Sequence, residues 1–519
     1  MSLGVALRAD ASAVLGAGHL VRCLSLAAAL REQGADAWLV CARGDGTAAH
    51  LLRDAASTVR WIDDPDDPQH DARLTAAALA DRRIDWIVVD HYRLDAVWHD
   101  AIRQATGARL LAIDDLADRP LAADALLDAN RDALARATYA PWLRREPRWL
   151  LGPRFAMLGP AYRAVRRCDP GEGAARSIGV FTGGTDPGGA SARVLDACRR
   201  EAGFEGPIEV ATTRANPRLD ALRAACREAD ATLTVDAPDL AAFFARHDLQ
   251  VGAGGGAAWE RCRVGAPSIA LVLADNQRPV IDLLGRSGAV LAARLEEVQD
   301  TGQSTGQNTG QNTVHDTELP PLATALRALL DAPEARRALA ERAVALVDGR
   351  GAQRVAASLM RDALTLRPAG PEDAMKLLGW RNHAAVRAVS GDPAPIAAED
   401  HLRWFARVLA DPARRLWVGR LGALDVGSIR FDRLDTGRAE VSLYLDPELL
   451  GLGLGERLLA AGEAAAADAF GAPLESVARV LPGNDASLRL FGRAGYRGEP
   501  DRLARRIDGV RTTSIGIRP

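Results

Sequence analysis

The sequence predicts an α/β protein of three domains: two Rossmann-like, doubly wound domains with parallel sheets, then a smaller α+β domain. Three observations predict this. At 519 residues the chain exceeds what one hydrophobic core organises, and domains of about 100 to 200 residues divide it into roughly three. Short apolar runs alternate with longer Ala/Leu/Arg stretches of helical period, the rhythm of strand, crossover helix and parallel strand. After Leu364 the pattern changes, with more aromatic residues and strands that look antiparallel. The predicted domains are residues 1–150, 151–363 and 364–519.

In the first domain, residues 5–7, 37–41, 86–90 and 110–113 read as strands, with helices at 20–32 and 74–81. The rhythm restarts after the Pro- and Arg-rich segment 139–170, with strands expected at 177–182, 208–211, 248–251 and 268–273. Residues 300–316 repeat Thr-Gly-Gln three times and offer no anchor for a core, so they read as a disordered surface loop. Helical sequence resumes at 322 and runs to about 362. In the third domain, 416–419, 425–431 and 439–445 read as strands.

Composition removes several classes of function. The net charge is -3 with both signs interspersed, so no basic stripe exists for nucleic acid. No apolar run reaches the roughly 20 residues of a membrane span, and the opening lacks the basic flank and long apolar stretch of an export signal. A cytoplasmic protein without membrane partners is expected. Cysteines 23, 41, 168, 198, 226 and 262 form no C-x-x-C pair, which argues against zinc and disulfides and for small buried apolar residues. The acidic run Asp63, Asp64, Asp66 and Asp67 is broken by Pro65 and followed by Pro68, so it reads as a solvated loop. No metal is expected.

Arg8, Asp10, Ser12, Gly16, Gly18, His19 and Arg22 lie between the first strand and the first helix, where open α/β sheets bind ligands. Gly16 and Gly18 permit close backbone approach, and the helix N-terminus beyond them favours anionic groups. The same dipole end is expected to keep His19 neutral, as a general base requires. Taken alone, Gly-x-Gly-His also reads as a plain helix cap. The motif is followed by Val89-Asp90-His91-Tyr92, Ile113-Asp114-Asp115, Leu151-Gly152-Pro153, Gly183-Gly184-Thr185-Asp186, Gly254-Gly255-Gly256, Trp259-Glu260-Arg261, Asn276-Gln277 and a run from Asp348 to Val355.

In this order the landmarks resemble the UDP-2,4-diacetamido-2,4,6-trideoxy-altropyranose hydrolases of pseudaminic acid biosynthesis. The resemblance implies a glycosyltransferase-B fold, cleavage at the sugar C1 with release of UDP, and His19 as the base that activates water. On that reading Gly183, Gly184, Gly255 and Gly256 offer backbone donors to phosphate, and Glu260 accepts from ribose hydroxyls. Arg8, Asp10, Gly18, Arg22, Asp90, His91, Tyr92, Asp186, Asn276 and Gln277 complete the implied substrate-binding set. For Asp90-His91-Tyr92 two readings stand, a sugar contact or a polar strand end. Thr185 replaces the family's serine, and Asp128 stands where a second asparagine is expected near Asn130, which leaves the sugar preference open. UDP is a good leaving group, so a base and diphosphate donors suffice without metal.

In the last domain a strand ending at Leu445 leads to Leu450, Gly451, Gly453, Gly455 and Glu456 ahead of an Ala-rich helix. Alternating glycines at a helix start expose consecutive N–H groups that can hold a pyrophosphate. With Asn484, Ser487, Gly495 and Tyr496 downstream, the pattern is similar to the GNAT acetyltransferases. That likeness implies acetyl-CoA as co-substrate, lying along a splayed strand pair with its pyrophosphate on the glycine loop. Leu364-Thr-Leu-Arg-Pro368, Trp380-Arg381-Asn382 and the stretch from Glu399 to Phe405 resemble the subgroup that acetylates the 4-amino group of a UDP-amino sugar. Leu450 replaces the usual Arg or Gln, and Phe491 stands where many members carry a tyrosine proposed to protonate the thiolate. Trp380, Trp404, Phe405 and His401 read as packing residues.

Together the two resemblances predict a bifunctional enzyme whose acetyltransferase makes the nucleotide sugar that its hydrolase cleaves, with UDP-amino sugars as partners. A glycosyltransferase-B type sugar transferase is one alternative, since fold alone does not decide chemistry. A nucleotide-sugar-binding module carrying an inactive GNAT domain is the other. Sugar configuration, oligomeric state and channelling stay open.

Overall fold

The computed structural model describes residues 2–12, 16–44, 52, 58–165, 172–237, 240–296 and 319–508. Cys168 and the tract expected to be disordered at 300–316 lie outside them. The chain divides into two compact units, one of residues 4–29 and 36–353 and the other chiefly of residues from 354 onward.

The first unit carries two parallel sheets. The first has order β3-β2-β1-β4-β5-β6-β7. Its strands are β1 Gly4–Ala9, β2 Asp36–Ala42, β3 Val59–Ile62, β4 Trp86–Asp90, β5 Arg109–Ile113, β6 Ala125–Asp128 and β7 Arg148–Leu151. The second has order β10-β9-β8-β11-β12-β13. It comprises β8 Ile178–Phe181, β9 Ile208–Thr212, β10 Thr232–Val235, β11 Leu249–Ala253, β12 Ser268–Leu271 and β13 Leu291–Ala293. β1, β4 and β11 are buried along their whole length, as central strands covered on both faces must be, which explains why their sequences are mostly apolar, with Arg8, Asp90 and Gln250 as the buried exceptions. Two doubly wound sheets in tandem are the composition of a glycosyltransferase-B fold. Strand order reverses between β1 and β4 and again between β8 and β11, the two places where such sheets take ligands.

The helix expected at 74–81 spans Pro68–Ala78. Asp67 starts it early by accepting from His70 N at 2.7 Å, and Pro68 fits a first turn whose N–H needs no partner. The acidic run is thereby accounted for: Asp63 faces Arg43 Nε at 3.5 Å, Asp64 accepts from Gly44 N, Asp66 pairs with His70 and Asp67 is the cap. Burial pushes the Cys41, Cys198 and Cys262 thiols up to about 12, in keeping with apolar packing.

The second unit is built on one sheet of order β14-β15-β16-β17-β18-β19. The strands are β14 Thr365–Pro368, β15 Arg414–Leu421, β16 Leu424–Asp435, β17 Arg438–Leu445, β18 Leu474–Ala478 and β19 Leu503–Ile507. All neighbours are antiparallel except β17 and β18, which the helix Leu454–Phe470 joins as a parallel pair. That helix lies so close to the sheet that a Cβ on Gly462 would stand 2.4 Å from Ile429 Cδ1. Ile429, Phe431, Leu458, Leu459, Phe491 and Tyr496 meet in the core. No helix among the described residues is long and apolar enough to cross a membrane.

Candidate active sites

At the first reversal point, Asp90 ends β4 and His19 begins the helix Gly18–Glu32 that follows β1. Asp90 is fully buried and receives the Arg22 guanidinium at both oxygens, through Nε at Oδ2 and through Nη2 at Oδ1, 2.7 Å away. His19 Nδ1 lies 2.5 Å from the same Oδ1. A ring nitrogen against a carboxylate oxygen at that distance carries the proton. In the neutral ring the lone pair is therefore on Nε2, which has no hydrogen-bond partner among the described residues. The sequence assigns control of His19 to the helix dipole, but the contacting carboxylate is the nearer influence and selects the tautomer. Burial pushes the Asp90 carboxyl up, and Arg22 with His19 more than reverse this, leaving it well below the ordinary value of 3.8.

Arg8 and Asp10 form a layer behind this pair. Arg8 has no exposed surface and divides its guanidinium between Asp10 and Asp71, with Nη2 2.8 Å from Asp10 Oδ2 and 2.6 Å from Asp71 Oδ2. Asp10 also accepts from Ala42 N at 2.8 Å and faces His91 Nε2 at 3.4 Å. Burial opposes ionisation of Asp10, but the His91 contact and the Arg8 charge outweigh it and hold the carboxyl far below its ordinary range. Of the Asp90-His91-Tyr92 run, Asp90 and His91 are thus turned inward as supports. Tyr92 is half-buried, its ring edge-on to His19 with centroids 4.5 Å apart. Its hydroxyl reaches Asp115 Oδ2 at 3.4 Å and the Asn276 side chain. Gly18 has open space where a side chain would project.

The second reversal point is built differently. Gly255 and Gly256 start the helix Gly256–Arg263, and a Cβ on either would meet nothing within 4 Å. Their bareness leaves open space over the first N–H groups of that helix. Glu260 stands one turn further on the same face as Gly256. Gly254 is a packing glycine, because a Cβ there would strike Ile281 at 2.4 Å. Gln277 Oε1 accepts from Gly254 N at 3.3 Å and Leu273 N at 3.1 Å, so Gln277 fastens the loop. Gly183 has φ +122° and open space above it, whereas Gly184 is held against Thr213, whose hydroxyl donates to its carbonyl at 2.7 Å. Asp186 accepts from Ala190 N and Ser191 N and so caps the helix Ala190–Asp196.

Two contacts join the C-terminal edges of the sheets. Tyr92 meets Asn276, and Trp259 Nε1 donates to Asn130 Oδ1 at 3.1 Å. Asn130 Nδ2 in turn reaches Asp115 Oδ2 at 3.4 Å. The sequence presents Asp115 and Asn130 only as landmarks, and the structure adds them to the walls of the site. Beneath them Tyr139 donates toward Asp114 and Asp128, both buried, and burial pushes the Asp128 carboxyl up.

In the C-terminal unit, β17 and β18 pair only from Arg438 with Glu475 to Val441 with Ala478. β17 runs on to Leu445, still paired to β16 on its other side, so residues 442–445 face a wedge-shaped gap. The chain then passes through Leu450 to Gly451 (φ +81°) and Gly453 (φ +77°), the left-handed cap of the helix Leu454–Phe470. These positive φ values are why glycine stands there. Gly455 sits against Leu490, and Glu456 accepts from Arg493 at 3.1 Å. Asn484 Oδ1 accepts from Ser487 N at 3.1 Å and caps the helix Asp485–Arg493. Leu450 offers no charge to the loop, but Arg361 does: a Cβ on Gly453 would be 3.0 Å from its Nη1. Arg361 lies far from the motif in sequence, so nothing local to the loop marks it. Phe491 is buried edge-on to Tyr496, whose hydroxyl bonds Glu463 at 2.8 Å and Ser476 at 2.5 Å. Phe405 and His401 are buried, with Trp404 packed beside them.

Residues 363–497 match the acetyltransferase (GNAT) domain family, and this part of the chain is a GNAT domain. Among solved structures, Acinetobacter baumannii MurG is similar at 15% identity over 68% of this chain and 98% of its own, with a TM-score of 0.45. YncA, a putative acetyltransferase from Salmonella typhimurium solved with acetyl-CoA, is 20% identical over 30% of this chain and 99% of its own, TM-score 0.25. AAC(6')-Ib in complex with ribostamycin and coenzyme A is 21% identical over 30% of this chain and 99% of its own, TM-score 0.25. No curated protein matches the chain.

Proposed function

We propose that the protein is a bifunctional enzyme of nucleotide-sugar metabolism. The N-terminal unit hydrolyses a UDP-2,4-diacetamido sugar at C1, and the GNAT domain acetylates the 4-amino group of its precursor. The observation that carries the first activity is the His19–Asp90 pair at the reversal point of the first sheet. With Nδ1–H held by Asp90, Nε2 takes a proton from the attacking water, and the buried carboxylate stabilises the imidazolium that forms. UDP leaves from C1 with its diphosphate on the bare N–H groups of Gly255, Gly256 and Gly183 and its ribose on Glu260. The 2,4-diacetamido sugar and the pathway rest on the family resemblance.

For the second activity, acetyl-CoA fits the gap beside residues 442–445, where a pantetheine arm can bond the unpaired strand edge. Its pyrophosphate meets the loop at Gly451 and Gly453. A sugar amine is less basic than lysine, so a fraction is already neutral at pH 7 and positioning beside the thioester supplies most of the acceleration. The test is to give the purified chain a UDP-2-acetamido-4-amino-dideoxy sugar with and without acetyl-CoA and follow products by NMR. The expected result is N-acetylation that needs acetyl-CoA, followed by free diacetamido sugar and UDP. UDP release that requires an added sugar acceptor would replace the hydrolase with a glycosyltransferase.

A further inference from the structure

Arg261, on the helix Gly256–Arg263, has no part in the chemistry above. It is 1% exposed, its Nη2 donates to Ala253 O at 2.8 Å, and among the described residues its Nε and Nη1 have no hydrogen-bond partner. The guanidinium lies over the Phe244 ring at 5.9 Å, and no carboxylate among the described residues forms an ion pair with it. Burial lowers its pKa to about 10, so it stays charged at neutral pH. A buried charge without a counter-ion is costly, and a guanidinium cannot shed its proton as a lysine can.

Its position suggests what offsets that cost. A Cβ on Gly252 would stand 2.7 Å from Arg261 Nη1 and 2.3 Å from Phe181 O. The guanidinium is therefore wedged between the C-terminal ends of β8 and β11, where the strand order reverses, under the loops that carry Gly183, Gly255 and Gly256. Glycine at 252 is what admits it. We propose that Arg261 is a fixed positive charge that holds the ligand's diphosphate from below, through its field across the glycine loop and without contact. In a dry interior such a field is weakly screened, and it adds to the partial charges of the helix N-terminus. Arg261 is on this account a positioning residue for the nucleotide's anionic part, and the proposal rests on reading this half as a UDP-sugar site.

The test is calorimetric titration of the full chain, as wild type and as Arg261→Met, Arg261→Gln and Arg261→Lys, with UDP and with uridine. In the two uncharged variants the Kd for UDP should rise about tenfold or more while that for uridine moves less than about twofold. Arg261→Lys should keep most of the UDP affinity. Gln retains a donor for Ala253 O, so a folded uncharged variant is available should Met disturb the core. An unchanged ratio of UDP to uridine affinity in both uncharged variants would overturn the proposal. A wild-type chain that binds neither molecule would overturn the UDP-site reading itself.

Discussion

The two reversal points of the N-terminal unit occupy equivalent places in similar sheets and are built from opposite materials. Between β1 and β4 stand polar side chains in contact: His19, Arg22 and Asp90, backed by Arg8, Asp10, Asp71 and His91. Between β8 and β11 the surface is bare backbone at Gly183, Gly255 and Gly256, over one buried cation. On the proposed function the difference separates two tasks. Moving a proton requires a side chain whose tautomer is fixed by neighbours, and those neighbours must be buried to stay fixed. Holding an anion requires donors that nothing covers. The first point is therefore sensitive to what is removed from it and the second to what is added.

The largest expected effect tests the side-chain point. His19→Asn keeps the helix start but removes the base, so UDP release should fall about a thousandfold in a coupled assay while acetyl transfer is unaffected. Near-normal release would break the contrast at its root. The glycine rule applies equally to the loop in the GNAT domain, where Gly453→Glu strains a φ of +77° and puts a carboxylate in the pyrophosphate's place. Acetyl transfer should drop about a hundredfold with hydrolysis unchanged. Equal turnover at saturating and limiting acetyl-CoA would show the loop is not the pyrophosphate seat.

A stability measurement sharpens the same comparison. Asp10 and Asp90 are held below their ordinary value of 3.8, so the unfolded chain takes up more protons than the native one as the pH drops through that value. The stability they confer is complete above about pH 5 and drains below about pH 4. Asp90→Asn should cost about 1 to 3 kcal/mol at neutral pH, by leaving the half-buried Arg22 with only its longer 3.6 Å contact to Asp115, and should flatten the acid limb of denaturant-unfolding profiles. An unaltered acid limb would mean that Asp90 is not the titrating group. The smallest effect is expected of Phe491→Tyr, which adds a hydroxyl to a packed ring facing Tyr496. It should shift acetyl transfer by less than about threefold and lower stability by about 1 kcal/mol. Activity that appears only in this variant would make the native domain a binder.

The central strands were legible because burial on both faces leaves mostly apolar runs, as in β1, β4 and β11, each with a single polar residue. β7 and β19 were not, because they are only four and five residues long, with Arg148 opening the first and the Arg505-Arg506 pair inside the second. Periodicity also says nothing of pairing direction, so the parallel step from β17 to β18 came only with the structure. Strand, glycine and helix are neighbours in sequence, which is why the place of His19 could be read. Its partner Asp90 lies 71 residues away and could not. Arg261 was one arginine among many, and nothing local marks a charge that tertiary packing will bury without a counter-ion.

The contact between His19 and Asp90 also depends on how the strands come together. β1 and β4 pair with Ala9 opposite Asp90, and because side chains alternate along a strand, a slip of one residue would turn the carboxylate to the other face of the sheet. The apolar residues on both faces would still find oily surroundings, so such a chain could collapse and keep much of its helix. It would have no carboxylate to orient His19. Pairs this distant in sequence close late, after the local helices have formed. On the proposed function, UDP release is thus a more exacting readout of correct assembly than compactness or helical content, and its recovery during refolding should trail both.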